Sequence, residues 1–128
     1  MLNYLIKIEY DGTKFVGWQS QKNGKSIQDA IETALKKIFK TPVRIIGAGR
    51  TDKGVHAMGQ HANFKVEKKI ENNRKFVDSM NFFLRKNLIS IISLKKKNLT
   101  FHSRFSALER VYIYKIINRM GSLSLNNN

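Results

Sequence analysis

Val43-Arg44-Ile45-Ile46-Gly47-Ala48-Gly49-Arg50-Thr51-Asp52-Lys53-Gly54-Val55-His56-Ala57 is a short apolar run that opens into a polar, glycine-rich loop. From Ala57 to Val66 the chain reads as a strand again, so the loop joins the ends of two strands. Functional side chains tend to sit on such loops, because the strands beneath hold them in place. Glycine permits turns that other residues resist and lets a ligand approach the backbone closely. Asp52 is the one acid of the loop and lies between Arg50 and Lys53. A cation in close contact lowers a carboxyl pKa by about 1–3 units, which would hold Asp52 ionised for chemistry. Thr-Asp-Lys-Gly is also ordinary turn composition, so spacing alone leaves a catalytic carboxylate and a plain turn both open.

Upstream, Leu2, Tyr4, Ile6, Ile8 and Tyr10 alternate along one face of a half-buried strand that ends at the Asp11-Gly12 turn. The lone tryptophan, Trp18, reads as a core plug under a loop in preference to a stacking surface. Ser26 to Lys40 is a helix. Ser26 is its N-cap, Asp29 makes a variant of the capping box, and Ile27, Ile31, Ala34, Leu35 and Ile38 form the apolar stripe. Lys36, Lys37 and Lys40 suit the negative end of the helix dipole, and Pro42 forbids continuation.

Downstream, Gly59 inside the Ala57–Val66 strand marks a bulge or a close backbone approach. Phe76, Val77, Met80, Phe83, Leu84 and Leu88 form a second helical stripe. Leu88 to Leu94 is a strand, Lys95-Lys96-Lys97 a solvated basic turn, and Val111 to Asn118 a last strand. Residues 119–128 read as a frayed tail. The order strand, helix, two strands, helix, two strands gives an α+β fold. It is expected to be a ferredoxin-like, RRM-like antiparallel sheet with helices on one face. The aromatic signature of RNA-binding RRM domains is absent.

With 128 residues the chain suits one domain, here residues 1–118. It has no cysteine, which excludes disulfides and thiolate metal sites. No apolar run reaches the length of a membrane span, and the strand pattern that follows Met1 leaves no signal peptide. The expected setting is cytoplasmic. Lys and Arg number 24 against 9 Asp and Glu, a net charge of +15. Such an excess on a small domain points to a polyanion, nucleic acid first. Most of the cations are lysines and asparagine is abundant, so base composition of the gene is the competing explanation. Phe101-His102-Ser103-Arg104-Phe105-Ser106 interleaves aromatics with cations, a pattern that stacks bases while neutralising phosphates. His56 and His61 lack the further ligands of a metal site and read as hydrogen-bonding or RNA-facing groups.

Three ordered segments carry a family resemblance. Ile8-Glu9-Tyr10-Asp11-Gly12-Thr13 with Gly17-Trp18-Gln19 and Ser26-Ile27-Gln28 is the first. Gly49-Arg50-Thr51-Asp52-Lys53-Gly54-Val55-His56-Ala57 is the second. Phe101-His102-Ser103-Arg104-Phe105-Ser106-Ala107, followed by Tyr112 and Tyr114, is the third. Together they resemble the TruA family of tRNA pseudouridine synthases. The resemblance implies isomerisation of uridine to pseudouridine at positions 38, 39 and 40 of the tRNA anticodon stem-loop, without cofactor or metal. It makes Asp52 the essential aspartate, acting as nucleophile or as base. It makes Arg50 a support for the ionised aspartate and for base extrusion, and Tyr112 the ring that stacks on the target uracil. Lys53, His56, His102 and Arg104, with Arg50, are the expected RNA contacts.

Members of that family are about twice as long and work as homodimers, with a second half that completes the cleft. The expectation is therefore the N-terminal half of such an enzyme, with residues 119–128 standing where the second half would follow. The alternative is a non-catalytic RNA-binding module or an inactive N-terminal fragment.

Overall fold

The computed structural model describes residues 1–49 and 54–104. Arg50, Asp52, Lys53 and Tyr112, the expected strand Val111–Asn118 and the tail 119–128 lie outside the described residues. The elements run β1 (Leu2–Tyr10), α1 (Ile27–Phe39), β2 (Ile45–Gly47), β3 (Ala57–Val66), α2 (Asn73–Leu84) and β4 (Ile89–Lys97). The sheet order is β2-β3-β1-β4, and every neighbouring pair is antiparallel.

β1 sits in the middle of this sheet because its even residues make a continuous apolar face. Tyr4, Ile6, Ile8 and Tyr10 are all buried, and they pair laterally with Phe64, Ala62, Leu94, Ile91 and Ile89 of the flanking strands. Both helices press their stripes onto this face: Ile27, Ile31, Ala34 and Leu35 from α1, and Phe76, Met80 and Leu84 from α2. Phe64 is the hub, with the rings of Tyr4, Phe39 and Phe76 between 5.8 and 6.1 Å from its own. Burying one such side chain contributes about 1.5–3 kcal/mol, before the added ring–ring contacts.

Helix α1 begins and ends where its caps dictate. The Asp29 N–H donates to Ser26 Oγ at 3.0 Å, and Lys40 closes the helix in the left-handed region (φ 63) with its N–H on Lys36 O. Helix α2 is N-capped by Asn72 and stops at Leu84, followed by a 3-10 turn over Arg85–Asn87. The apolar stripe read through to Leu88, but Leu88 is the left-handed cap of that turn (φ 58), and its side chain faces water. Asn81 ties α2 to the next strand: its amide accepts from Ile91 N (2.7 Å) and donates to Ile91 O (3.1 Å).

Two further expectations meet the structure differently. Lys95-Lys96-Lys97 is not a turn but the end of β4, paired with Leu5, Tyr4 and Asn3. The long β1 ladder extends the pairing, and Lys95 and Lys97 share the sheet face opposite α1 and α2; Lys95 is exposed, and Lys97 is half-buried with its ammonium 5.3 Å from the centre of the Phe101 ring. Among the described residues β4 is an edge strand, and lysines on an edge discourage pairing with another chain. The first strand of the central hairpin is Ile45–Gly47, starting two residues into the apolar run that begins at Val43, although Val43 remains buried. Gly59 does lie at a bulge: Ile8 pairs with Gln60 while Tyr10 pairs with Ala57, so β3 holds one extra residue there. Trp18 is a core residue, 3% exposed, beside Tyr10. A Cβ on Gly47 would stand 2.5 Å from Trp18 Nε1, so only glycine lets the indole seat under the hairpin.

Candidate functional site

The glycine loop leaves the sheet from β2 and returns into β3, and both of its described ends are anchored. On the leaving side, the Ala48 N–H donates to His61 O at 2.7 Å, and the Gln60 side-chain amide donates to Gly49 O. On the returning side, the Gly54 N–H donates to Phe15 O at 3.3 Å. The Asp11–Thr13 turn packs directly against this returning end. A Cβ on Gly12 would lie 1.9 Å from the carbonyl oxygen of Val55, so the first sequence motif touches the second through a contact that only glycine allows.

His56 locks the same junction. Its Nδ1 accepts the Gly12 N–H at 2.9 Å and lies 3.1 Å from Asp11 Oδ1. The two contacts serve different protonation states. An unprotonated Nδ1 accepts from Gly12, whereas a protonated one donates to the Asp11 carboxylate. The Asp11 carboxyl is held below its ordinary range, chiefly because the Thr13 hydroxyl and backbone N–H donate to it at 2.6 and 2.9 Å. Burial opposes this lowering, and His56 and Lys14 each add an attraction smaller than that opposing effect.

A test follows from that hydroxyl. Thr13→Val should raise the Asp11 pKa toward the model-peptide value of about 3.9. Because the folded value is the lower one, the stability it brings is present above the unfolded pKa. It is lost as pH falls through the folded pKa, a window below about pH 4. Carboxyl NMR titration reads the shift directly. An Asp11 pKa unchanged in the valine variant would show that the hydroxyl is not the cause.

Of the described site residues, His56 and Arg104 each line a cleft. His56 lines one of about 350 Å³ with Glu9, Asp11, Met58, Leu88 and Ser90. Arg104 lines another of about 400 Å³ with Trp18, Gln28 and Gly47–Gly49, under the leaving end of the loop. His102 belongs to the segment between them in sequence and is half-buried. Lys7, His61, Lys65, Lys95 and Lys97 share the face of the sheet opposite α1 and α2, as their register with odd-numbered residues of β1 requires. That face is therefore basic.

Sequence reasoning passed over two residues on this face. Asn3 and Asn63 are buried, at 0% and 1% exposure, on the side of the sheet opposite α1 and α2. They hold the segment after β4; Asn3 pairs with Lys65 and Lys97 and Asn63 with Leu5 and Ile46, so an amide at a strand position was the only signal for them. Among the described residues no helix is long and apolar enough to cross a membrane.

Comparison with known proteins gives the arrangement its family. A family model described as tRNA pseudouridine synthase matches residues 6–106. The tRNA pseudouridine synthase A of Pelagibacter ubique (strain HTCC1062) is 49% identical over 125 residues, covering 98% of this chain and 51% of that protein. The protein of the same name from Caldicellulosiruptor saccharolyticus (strain ATCC 43494 / DSM 8903 / Tp8T 6331) is 49% identical over 118 residues, 92% of this chain and 48% of the relative. That of Ehrlichia ruminantium (strain Gardel) is 42% identical over 130 residues, 99% and 52% respectively. The chain spans about half the length of the curated relatives it matches. With a family match over most of its length, and with the loop and the turn that carry the motifs packed against one another, the chain belongs to the tRNA pseudouridine synthase family.

Proposed function

We propose that this chain supplies the catalytic loop of an enzyme that isomerises uridine to pseudouridine in the anticodon stem-loop of tRNA, at positions 38, 39 and 40. The observation that carries the reading is the double anchoring of the glycine loop, on β3 at one end and on the Asp11–Thr13 turn at the other. A carboxylate that must act on a single atom of a flipped nucleotide needs such a mount, because displacements of about 1 Å can cost about a hundredfold in rate. In this reading Asp52 acts either as nucleophile or as base, the glycosidic C–N bond breaks, the uracil turns, and a C–C bond forms to the same sugar. Arg50 keeps the carboxylate ionised and assists extrusion of the base, and Tyr112 stacks on the uracil. A paired base is hidden in its helix, so extrusion precedes the chemistry.

The alternation of elements and the sheet order support a ferredoxin-like, split βαβ architecture for residues 1–118. Residues 119–128 then lead toward a second half, and a homodimer working in the cytoplasm completes the proposal. Lys53, His56, His102 and Arg104 contact RNA together with the basic face of the sheet.

Titrating a labelled anticodon stem-loop over a salt series tests the RNA half of this reading. The log–log slope of affinity against salt should be about −0.7 to −0.9 for each phosphate neutralised, and steep in total for a chain of net charge +15. A slope near zero would make the charge a matter of composition alone.

A further inference from the structure

We propose that Asn3 and Asn63 are positioning residues: their side-chain amides bind residues 98–103 across the face of the sheet opposite α1 and α2 and so hold Arg104 at the cleft under the glycine loop, where it takes a phosphate of bound RNA. The inference rests on the RNA reading above.

A buried amide costs about 1–3 kcal/mol unless its hydrogen bonds are made, so two of them on one face are there for their bonds. Asn3 donates both N–H groups to the segment after β4, to Asn98 O and Phe101 O at 2.9 Å each. Its Oδ1 accepts from Asn63 at 3.0 Å, and Asn63 Oδ1 accepts the Ser103 N–H at 2.9 Å. The two asparagines come from different strands, β1 and β3, so the segment is tied across the sheet. None of these bonds continues a strand ladder. They fix a turn, closed by Phe101 N–H on Asn98 O at 3.0 Å, and its exit at Ser103.

Arg104 is the next residue and is exposed. It has no ion pair among the described residues, and none of the residues lining its cleft is acidic. With no carboxylate beside it among the described residues, and with open space over the Gly49 backbone, this guanidinium suits a phosphate.

The test is anisotropy of a labelled anticodon stem-loop RNA with the 128-residue chain. Arg104→Ala should weaken binding about tenfold. It should also reduce the salt slope by about 0.7–0.9, the loss of one phosphate. Asn63→Leu should do the same on both counts, and the double variant should be no weaker than Arg104→Ala alone. Ser103 opens a helical turn, where proline is tolerated. Ser103→Pro therefore removes the N–H that Asn63 accepts while leaving the sheet untouched, and it decides the matter if Asn63→Leu does not fold. Hydrogen exchange should show faster exchange of the residue 101 amide in both variants, with β1 and β3 still protected. Wild-type affinity and slope in both variants would overturn the positioning role, as would losses that simply add to that of Arg104→Ala with the slope unchanged. Failure of the wild-type chain to bind the stem-loop would instead overturn the RNA reading, and this proposal with it.

Discussion

Asp52→Asn should abolish pseudouridine formation while leaving tRNA binding in place. The substitution keeps the size and most of the hydrogen bonding of the side chain but removes its charge, its nucleophilicity and its use as a base. The glycine loop would still be anchored through Ala48, Gly49, Gly54 and His56, none of which the substitution touches. The variant therefore separates chemistry from folding. The assay is pseudouridine content of tRNA, with the C-terminal half of a relative supplied alongside the chain. Activity within about tenfold of wild type, or about 1.4 kcal/mol of barrier, would remove Asp52 from the mechanism.

Gly12→Ala should damage the site from a distance in sequence of some forty residues. The new methyl would stand 1.9 Å from Val55 O and 2.6 Å from Val55 C, backbone atoms that cannot rotate away. The Asp11–Thr13 turn and the returning end of the loop must move apart, and the Gly12 N–H to His56 Nδ1 bond goes with them. The cost in stability should be about 1–3 kcal/mol, the range for forcing a methylene into a packed place. The cost in turnover should be larger in consequence, about a hundredfold, because the loop is misplaced by about 1 Å or more. Thermal melting and single-turnover rates read the two effects separately. A variant that melts lower yet turns over at the wild-type rate would mean that the turn does not support the catalytic loop.

Much of this architecture is legible in the residues because local signals and burial agree. The alternation from Leu2 to Tyr10, the Ser26 cap and the α1 stripe each point to the element that forms, and the bulge at Gly59 is announced by the glycine itself. Where the reading goes astray, pairing overrides composition. Three consecutive lysines look like a turn, yet β1 is long enough to carry them as a strand. The stripe of α2 runs on to Leu88, but the left-handed cap there is set by the 3-10 turn and not by hydrophobic spacing. The contacts that join the motifs are the least legible. Nothing in the spacing of Gly12 and Val55 says that they touch, and Asn3 and Asn63 show their purpose only when strand register places them on one face with the segment after β4. Such contacts depend on long-range pairing, which periodicity does not encode.

The central claim is that this chain holds the carboxylate that isomerises uridine in tRNA. Its most direct test is tritium release from tRNA labelled at C5 of uridine, since forming the new C–C bond expels that hydrogen. The chain would be assayed alone and with the C-terminal half of a relative, each with the Asp52→Asn variant beside it. The account predicts release in at least the completed enzyme, confined to the anticodon stem-loop and absent from the variant. Release that persists in Asp52→Asn, or no release from the completed enzyme although it binds the tRNA, would contradict it.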